Sequence, residues 1–389
     1  MEVIHLTPAI AHRPFELDSI GVGRWKLIGG SLAFLLLTIG AFAYQVSLMH
    51  AGAEAPSWDR LQWRYLILLL LCLPVESLAA AGRIWLVGRV LQSEIGLWTC
   101  LKAEWANIAI AALTPSQTGG GPAQIYILNR ARVNTATALT ISLLSFVGTM
   151  AGLFVIGLYM IFVSGIGQGG SLFATALWTL LSISLAMILA ALCPGLLRRL
   201  LGALSRAIWR TRGQRHQLHD WWPPHSERTE QPLDRLDTVT SKLVDLIYNF
   251  RRDLDQFLRT GKLNFAWICL LSVVFLFTRC LIPYLCIRFL GIDGAGLRQT
   301  LESQMALTLL VFFAPTPGGA GLTESASLSI MASIVPAGFA PIYNLLWRFS
   351  TLYWAAVAGI ICLVCAATQD AAKFITPSTQ KNIIGRIPR

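Results

Sequence analysis

Long apolar runs separated by short polar segments cover most of this chain. Six of the runs are long enough to cross a hydrocarbon core of about 30 Å as helices, and they contain few charged residues. The pattern predicts an all-α polytopic membrane protein with six full spans. The predicted spans are 27–48, 65–86, 135–163, 171–192, 263–290 and 341–367.

Two shorter apolar segments, 97–113 and 297–313, each lead into a block rich in proline and glycine. Neither segment is long enough to span a bilayer. Helix breaks inside lipid are tolerated only where protein or a wet cavity satisfies the freed backbone groups. We predict that the segments form two re-entrant helical hairpins, 97–132 and 297–335. If both cross the membrane completely, the number of apparent transmembrane segments rises to eight or more.

A shift of 200 residues (315 minus 115) aligns the two blocks without a gap. The first block runs from Pro115 to Gln124 as Pro-Ser-Gln-Thr-Gly-Gly-Gly-Pro-Ala-Gln. The second runs from Pro315 to Glu324 as Pro-Thr-Pro-Gly-Gly-Ala-Gly-Leu-Thr-Glu. This repetition indicates an internal duplication. The alternative is two glycine-rich turns that share residues by chance.

Each half of the chain then has the same order of elements, namely two spans, a hairpin and a final span. The first repeat is 1–170 with hairpin 97–132, and the second is 171–389 with hairpin 297–335 and a polar insertion at 196–262. Basic residues mark cytoplasmic loops, so the first half starts inside and the second outside. We therefore predict inverted repeats in a bacterial inner membrane, with both termini cytoplasmic. In such folds the binding site lies near the midplane between the repeats.

The insertion at 196–262 is rich in arginine. Apolar residues from Leu236 to Phe257 recur there at helical spacing among charged residues, which predicts an amphipathic helix. Such a helix lies on the membrane surface or packs under the helix bundle. The same segment suggests an alternative role for the whole protein, a scaffold that recruits partners through the arginines between Arg198 and Arg259.

Composition supports the membrane class. Of the 389 residues, 55% are hydrophobic and 13% are charged, against about 25% charged in an average soluble domain. The net charge of +11 is carried largely by loops beside apolar spans, as in cytoplasmic loops of membrane proteins. Nucleic-acid binding is therefore not expected.

No cofactor or metal is predicted. His216, His219 and His225 lie near Asp220, but their spacing fits no established metal-binding pattern, and a solvated loop is favoured. No Walker A sequence occurs in the chain, so ATP-driven pumping by this chain alone is not expected.

The candidate site residues come from the two blocks and from charges inside the spans. Glycines allow close backbone approach and helix N-termini favour anions, so the two hairpins are predicted to bind a phosphate-bearing lipid. Glu324 is either a helix cap or a substrate or proton group, and Arg348 either receives a lipid phosphate or pairs with a carboxylate. For Glu76 and Arg279 an intramembrane ion pair is favoured. The predicted substrate-binding residues are Gly119, Gly120, Gly121, Gln124, Gly318, Gly319, Gly321, Glu324 and Arg348.

The second block, together with Asn344-Leu-Leu-Trp-Arg348, resembles the transmembrane, flippase-like domain of the lysylphosphatidylglycerol synthase family. The first block, leading into Tyr126-Ile-Leu-Asn-Arg130, is similar to that family's first motif. Here, however, it reads Gly-Gly-Gly-Pro-Ala-Gln and lacks the acidic residue and the arginine often found there. The resemblance covers nearly the whole chain. It implies a membrane protein that moves or binds lipids, in some members aminoacylated phosphatidylglycerol.

The family's synthase activity belongs to a separate soluble domain, and no segment after Ala367 is long enough to be one, so we do not expect an enzyme. The expected function is a flippase-like lipid transporter driven by an ion gradient or by the lipid gradient itself. Its ligand would be an anionic phospholipid or a polyprenyl phosphate. The alternative is an intramembrane enzyme or accessory protein for polyprenyl-linked glycan or lipid modification. A homo-oligomer and a partner biosynthetic enzyme both stay open.

Overall fold

The computed structural model describes part of the chain, and within that part every regular element is a helix. The described residues are 24–49, 58–114, 117–163, 178–179, 181–186, 235–312 and 314–384. The helices are α1 (Arg24–Met49), α2 (Trp63–Val90), α3 (Leu97–Leu113), α4 (Gly120–Arg130), α5 (Thr135–Phe162), α6 (Arg235–Thr260), α7 (Lys262–Phe289), α8 (Leu297–Phe312), α9 (Leu322–Ile330), α10 (Ala340–Arg348) and α11 (Trp354–Ile384).

Four helical stretches in the described part of the chain are long and apolar enough to cross a membrane, and they coincide with four of the six predicted spans. Of the other two, the span predicted at 27–48 is helical as part of α1, but its apolar stretch is the shorter Leu32–Tyr44. The span predicted at 171–192 falls mostly outside the described residues. The four stretches are Trp63–Val90, Thr135–Tyr159, Leu263–Phe289 and Ala337–Gln369.

Helix α2 shows how one face meets lipid while the other meets protein. Leu70 and Leu71 are exposed, whereas Ala80, Ala81 and Ile84 are fully buried. The buried face packs against α7, α3 and α5. Small residues on such a face let neighbouring backbones approach closely, which is how helices associate in membranes.

Glycines bring two other helix pairs together. A Cβ atom at Gly148 of α5 would lie 2.6 Å from the Ile268 side chain of α7, which is too close for a methyl group. A Cβ atom at Gly359 of α11 would collide with the backbone of Trp105 in α3. The α5–α7 and α3–α11 contacts therefore depend on the absence of a side chain at each glycine.

The two proline and glycine blocks break the helices where the sequence predicts. Helix α3 packs against α4 on either side of the first block, and α8 packs against α9 on either side of the second. Both α3 and α8 begin directly after a glycine, Gly96 and Gly296, so the helix starts keep the 200-residue shift. We call the interruption between α3 and α4 the first break (114–119), and the interruption between α8 and α9 the second break (313–321).

Two boundaries differ from the prediction. The sequence predicts that the glycines 119–121 precede the returning helix of the first hairpin, but Gly120 and Gly121 form the first turn of α4. Helix α9 ends at Ile330, short of the predicted 335, because the backbone turns there. The amides of Ile334 and Val335 both donate to the Met331 carbonyl in that turn.

The last predicted span consists of three segments. Helix α10 is followed by a π-helical turn, Phe349–Tyr353, and the turn continues into α11. A π-turn widens the helix by one residue per turn and is often found at functional sites. It places the residues after Arg348 beside the cavity described below.

Helix α6 covers the predicted amphipathic helix and is docked against the bundle at its C-terminal half. Leu254 and Phe257 are buried in an apolar cluster shared with α2, α3, α4 and α5. Thr137 Oγ1 donates to a carboxylate oxygen of Asp253 at 2.6 Å, and Gln256 donates to the Val90 carbonyl at 3.0 Å. These contacts fix this half of α6 against α5 and the end of α2.

Candidate functional site

A cavity of about 740 Å³ lies between the two broken helix pairs and the helices around them. Its size is within the range of small-molecule binding sites. Residues from α2 to α5, from α7 and α8, and from the α10–α11 region line it. The charged residues in the lining are Arg83, Glu104, Arg279 and Arg348, and the amides include Asn107, Gln124 and Gln304.

The second break is shaped by glycines in the left-handed region. Gly318, Gly319 and Gly321 have φ angles of 57°, 69° and 79°. Side chains with a Cβ atom are strained there, whereas glycine is not. A Cβ atom at Gly318 would also lie 3.0 Å from the carbonyl oxygen of Ala112, near the end of α3. The second break therefore touches the first helix pair.

Glu324 and Arg348 form a buried ion pair that also holds the backbone of the second break. Arg348 Nε donates to Glu324 Oε1 at 2.7 Å, and Arg348 Nη2 donates to the Gly318 carbonyl at 3.0 Å. The other carboxylate oxygen of Glu324 accepts from the Gly321 amide at 2.7 Å. Glu324 is thus both the cap of α9 and the partner of Arg348.

The two helix starts that are predicted to favour an anion differ in whether a side chain already occupies them. The start of α9 already has a carboxylate on it, because Glu324 accepts the Gly321 amide. A carboxylate at a helix N-terminus satisfies free amides and the helix dipole, so a ligand phosphate would have to displace it.

The first break is held by a hydroxyl group. Thr114 Oγ1 accepts from the Gly119 amide at 2.9 Å and donates to the Ile110 carbonyl at 2.9 Å. Gly121 and Gln124 line the cavity, and a Gly121 Cβ would meet no atom within 4 Å apart from its chain neighbours and the backbone of its own helix. The start of α4 therefore faces open space inside the cavity.

Glu76 and Arg279 are brought together, but less closely. Arg279 Nη1 lies 3.7 Å from Glu76 Oε1, and Arg279 Nη2 donates to the Thr351 carbonyl at 3.3 Å. The second contact reaches the π-turn. Arg279 lines the cavity and its side chain is partly exposed to it.

Arg83 lies near the end of the predicted span 65–86, where the sequence indicates only a charge that marks a cytoplasmic end, but in the structure it lines the cavity. Its Nη1 donates to Thr149 Oγ1 at 2.5 Å and to Ser272 Oγ at 3.4 Å, and its guanidinium lies 4.7 Å from the Phe275 ring centre. Helix α2 continues to Val90, so Arg83 is well inside it. Its position inside an apolar run was the available signal.

Glu104 and Gln304 are the other residues that were not predicted. They are related by the same 200-residue shift as the two blocks, and both line the cavity. The sequence showed them as polar positions in short apolar segments. Their helical spacing alone did not show which face of α3 or α8 they occupy.

Of the nine residues predicted to bind substrate, four line the cavity, and the other five belong to the two breaks or to the first turns of α4 and α9 without lining it. The four are Gly121, Gln124, Gly318 and Arg348. The other five are Gly119, Gly120, Gly319, Gly321 and Glu324.

No group of three or more histidine, cysteine or acidic residues that could hold a metal ion occurs in the described part of the chain. The histidines between 216 and 225 lie outside that part.

The sequence matches the family described as Lysylphosphatidylglycerol synthase TM region over residues 27–359. The chain belongs to this family. The match to the lysylphosphatidylglycerol synthase TM family spans both breaks, the cavity and the Glu324–Arg348 pair. No curated protein matches the chain. Family membership and the apolar helices together make this an integral membrane protein, and the family points to the handling of lipids.

Proposed function

We propose that this protein is a flippase-like transporter that binds an anionic or phosphate-bearing lipid between its two broken helix pairs. The observation that carries the proposal is the arginine-lined cavity at the place where the two helix breaks meet. Three arginines, namely Arg83, Arg279 and Arg348, line it among apolar helices. Buried charge inside a membrane protein is costly and marks function by default.

The broken helices support a transport role. We propose that α3–α4 and α8–α9 are re-entrant hairpins of two inverted repeats. Their bounds support this, because α3 and α8 begin at Leu97 and Leu297, and α4 and α9 end at Arg130 and Ile330. In inverted-repeat transporters, discontinuous helices form the substrate site near the membrane midplane.

The breaks also explain how a polar headgroup could be accepted inside an apolar bundle. Non-helical backbone at membrane depth requires protein or water to satisfy its polar groups. Here Thr114, Glu324 and Arg348 satisfy part of it. The cavity beside them carries charged and amide side chains among apolar ones and receives the headgroup, while the acyl chains stay in lipid.

The proposal is tested by lipid scrambling in proteoliposomes. Fluorescent phospholipids and polyprenyl phosphates are incorporated, and a membrane-impermeant quencher reports how much of each probe reaches the outer leaflet. We expect wild-type protein to move an anionic or phosphate-bearing probe, and Glu324→Gln and Arg348→Ala proteins that still fold to lose most of that transport.

The matched control is Arg298→Gln. Arg298 also pairs with a glutamate, Glu302, but on an exposed face outside the cavity, so its loss should leave scrambling unchanged. If wild-type protein moves no probe of either class, the transport proposal fails. A role as an enzyme or accessory protein for polyprenyl-linked glycans would then be tested by turnover of a lipid-linked sugar.

A further inference from the structure

The three arginines of the cavity differ in how far their charge is already neutralised. Arg348 is paired with Glu324 at 2.7 Å, and Arg279 lies 3.7 Å from Glu76. Arg83 forms no direct ion pair with any carboxylate in the described part of the chain, although the Glu104 and Glu76 carboxylates act on its charge from further away. It is thus the cavity arginine whose N–H donors are not already bonded to a carboxylate, so they remain for an anion of a ligand.

Arg83 is held rigidly but incompletely satisfied. The hydroxyl groups of Thr149 and Ser272 both accept from a single terminal nitrogen, Nη1, and Phe275 lies against the guanidinium. The side chain is only 4% exposed, yet its Nε atom has no hydrogen-bond partner in the described structure. Arginine has five N–H donors, so donors are left for a ligand.

Acceptors face the same cavity from the two broken helix pairs. Glu104 of α3 and Gln304 of α8 are 8% and 3% exposed. The Oε1 atom of Gln304 is buried without a partner in the described structure, although its Nε2 atom donates to Thr308 at 3.4 Å. A buried acceptor without a donor is unfavourable unless a ligand or water satisfies it.

We infer that Arg83, Glu104 and Gln304 form a headgroup subsite for a phosphodiester that also carries hydroxyl or ammonium donors. The phosphodiester oxygens accept from Arg83, whose planar fork matches their geometry. The hydroxyl or ammonium groups donate to Glu104 and to Gln304 Oε1. This inference rests on the proposed function and names the ligand chemistry of the same cavity.

The subsite makes a specific demand on the ligand. A site whose buried polar groups require hydrogen bonds discriminates against an analogue that lacks them, because those groups are then left unpaired. Phosphatidylglycerol and phosphatidylmethanol carry the same charge, but only phosphatidylglycerol has headgroup hydroxyls. Phosphatidylethanolamine has an ammonium group as the donor. These lipids separate recognition of charge from recognition of donors.

The experiment measures binding, not transport. Full-length protein is placed in phosphatidylcholine nanodiscs, and the affinity for each of the three lipids is measured by native mass spectrometry. We expect phosphatidylglycerol or phosphatidylethanolamine to bind at least about tenfold more tightly than phosphatidylmethanol. We expect Arg83→Gln to weaken binding of the preferred lipid by about ten- to a hundredfold, and Gln304→Leu to remove the preference over phosphatidylmethanol.

Controls separate a lost contact from a lost fold. Arg298→Gln lies outside the cavity and should bind like wild type. If Arg83→Gln does not fold, Arg83→Lys keeps the charge without the fork and should still weaken binding. Glycerophosphoglycerol, a soluble phosphodiester with headgroup hydroxyls, is added as a competitor. Competition at the affinity of the lipid would support the phosphodiester subsite but assign it to a soluble ligand, whereas absence of competition would assign it to the lipid.

Two results would overturn the inference. One is a folded Arg83→Gln protein that binds the preferred lipid as wild type does. The other is equal wild-type affinity for all three lipids. The scrambling experiment is independent of both: selective binding without transport would overturn the flippase proposal and keep the subsite, whereas transport without selectivity would do the reverse.

Discussion

The two helix breaks occupy matching positions in the chain but are held by different chemistry. At the second break, a buried carboxylate caps α9 and pairs with an arginine. At the first break, a threonine hydroxyl accepts from the Gly119 amide. The same backbone problem, a helix interrupted among apolar helices, therefore has an ionic solution on one side of the cavity and a neutral solution on the other.

The difference extends to the neighbouring helices. Under the 200-residue shift, Gln124 corresponds to Glu324 and Gly148 corresponds to Arg348. With an amide in place of the carboxylate, no arginine is needed, and Gly148 instead lets α5 pack closely on α7. The second break is therefore held in place by a buried ion pair. The first break has no such pair among the described residues and is the more adaptable side of the cavity.

The largest effect is expected from loss of the Glu324–Arg348 ion pair at the second break. Arg348→Met leaves the Glu324 carboxylate buried without its partner, which should lower the free energy of unfolding by about 3–5 kcal/mol. The measurement is unfolding in mixed micelles by titration with SDS. Combining Arg348→Met with Glu324→Gln should recover part of the loss, because the second break then has the neutral amide found at the first.

The control for this prediction is Arg298→Met. Arg298 pairs through the same atoms, Nε and Oε1, at 2.8 Å, but its side chain is 70% exposed, against 6% for Arg348. Exposed pairs of this kind contribute about 0.3–0.5 kcal/mol. If Arg348→Met lowers the free energy of unfolding no more than Arg298→Met does, the ion pair does not stabilise the second break.

A smaller effect should separate the glycines of the two breaks. Gly318→Ala puts a Cβ atom at a φ angle of 57° and 2.8 Å from the Phe34 ring, so it should destabilise by about 2 kcal/mol. Gly121→Ala lies within α4 with open space around it, and should be neutral or stabilising by up to about 1 kcal/mol. The same titration compares the two variants. If the two variants lost the same free energy of unfolding, the two breaks would be equally constrained.

The smallest effect concerns the hydroxyl at the first break. Thr114→Val removes the acceptor of the Gly119 amide and should cost about 1 kcal/mol. Hydrogen exchange of the Gly119 amide should become faster. The control is Thr368→Val, because the exposed Thr368 hydroxyl bonds only to the Val364 and Cys365 carbonyls of its own helix, and this change should alter stability by less than about 0.5 kcal/mol. Unchanged exchange at Gly119 would show that another group protects this amide.

The features that the sequence predicts well are local ones. Apolar run length and the proline and glycine blocks indicate where α3 and α8 end, because helix length and breaks depend on neighbouring residues. The sequence predicts an ion pair of Glu76 with Arg279, since a charge inside a span requires a partner, and Arg279 Nη1 lies 3.7 Å from Glu76 Oε1. For Glu324 the sequence leaves a helix cap and a substrate or proton role as alternatives, and in the structure its carboxylate caps α9 and also pairs with Arg348.

The features that the sequence does not reveal depend on the packing of distant helices. Arg83 lies near the end of the predicted span 65–86 and looks like a flanking charge, yet α2 continues beyond it and α5 and α7 bury it. Gln304 looks like a polar interruption until α8 is placed against the cavity. The π-turn after Arg348 has no signal in the apolar pattern, because it changes the helix by a single residue per turn.

The hydrogen bond from Arg348 to the Gly318 carbonyl adds a free-energy cost to any movement of the second break. If this contact and the pair with Glu324 must separate before the break moves, the cost of about 3–5 kcal/mol for a buried pair limits the open arrangement to roughly one molecule in 10² to 10⁴ at rest. A ligand raises that population only by binding the open arrangement more tightly than the closed one. Occupancy of the cavity, and not thermal motion alone, would then determine how often the second break opens.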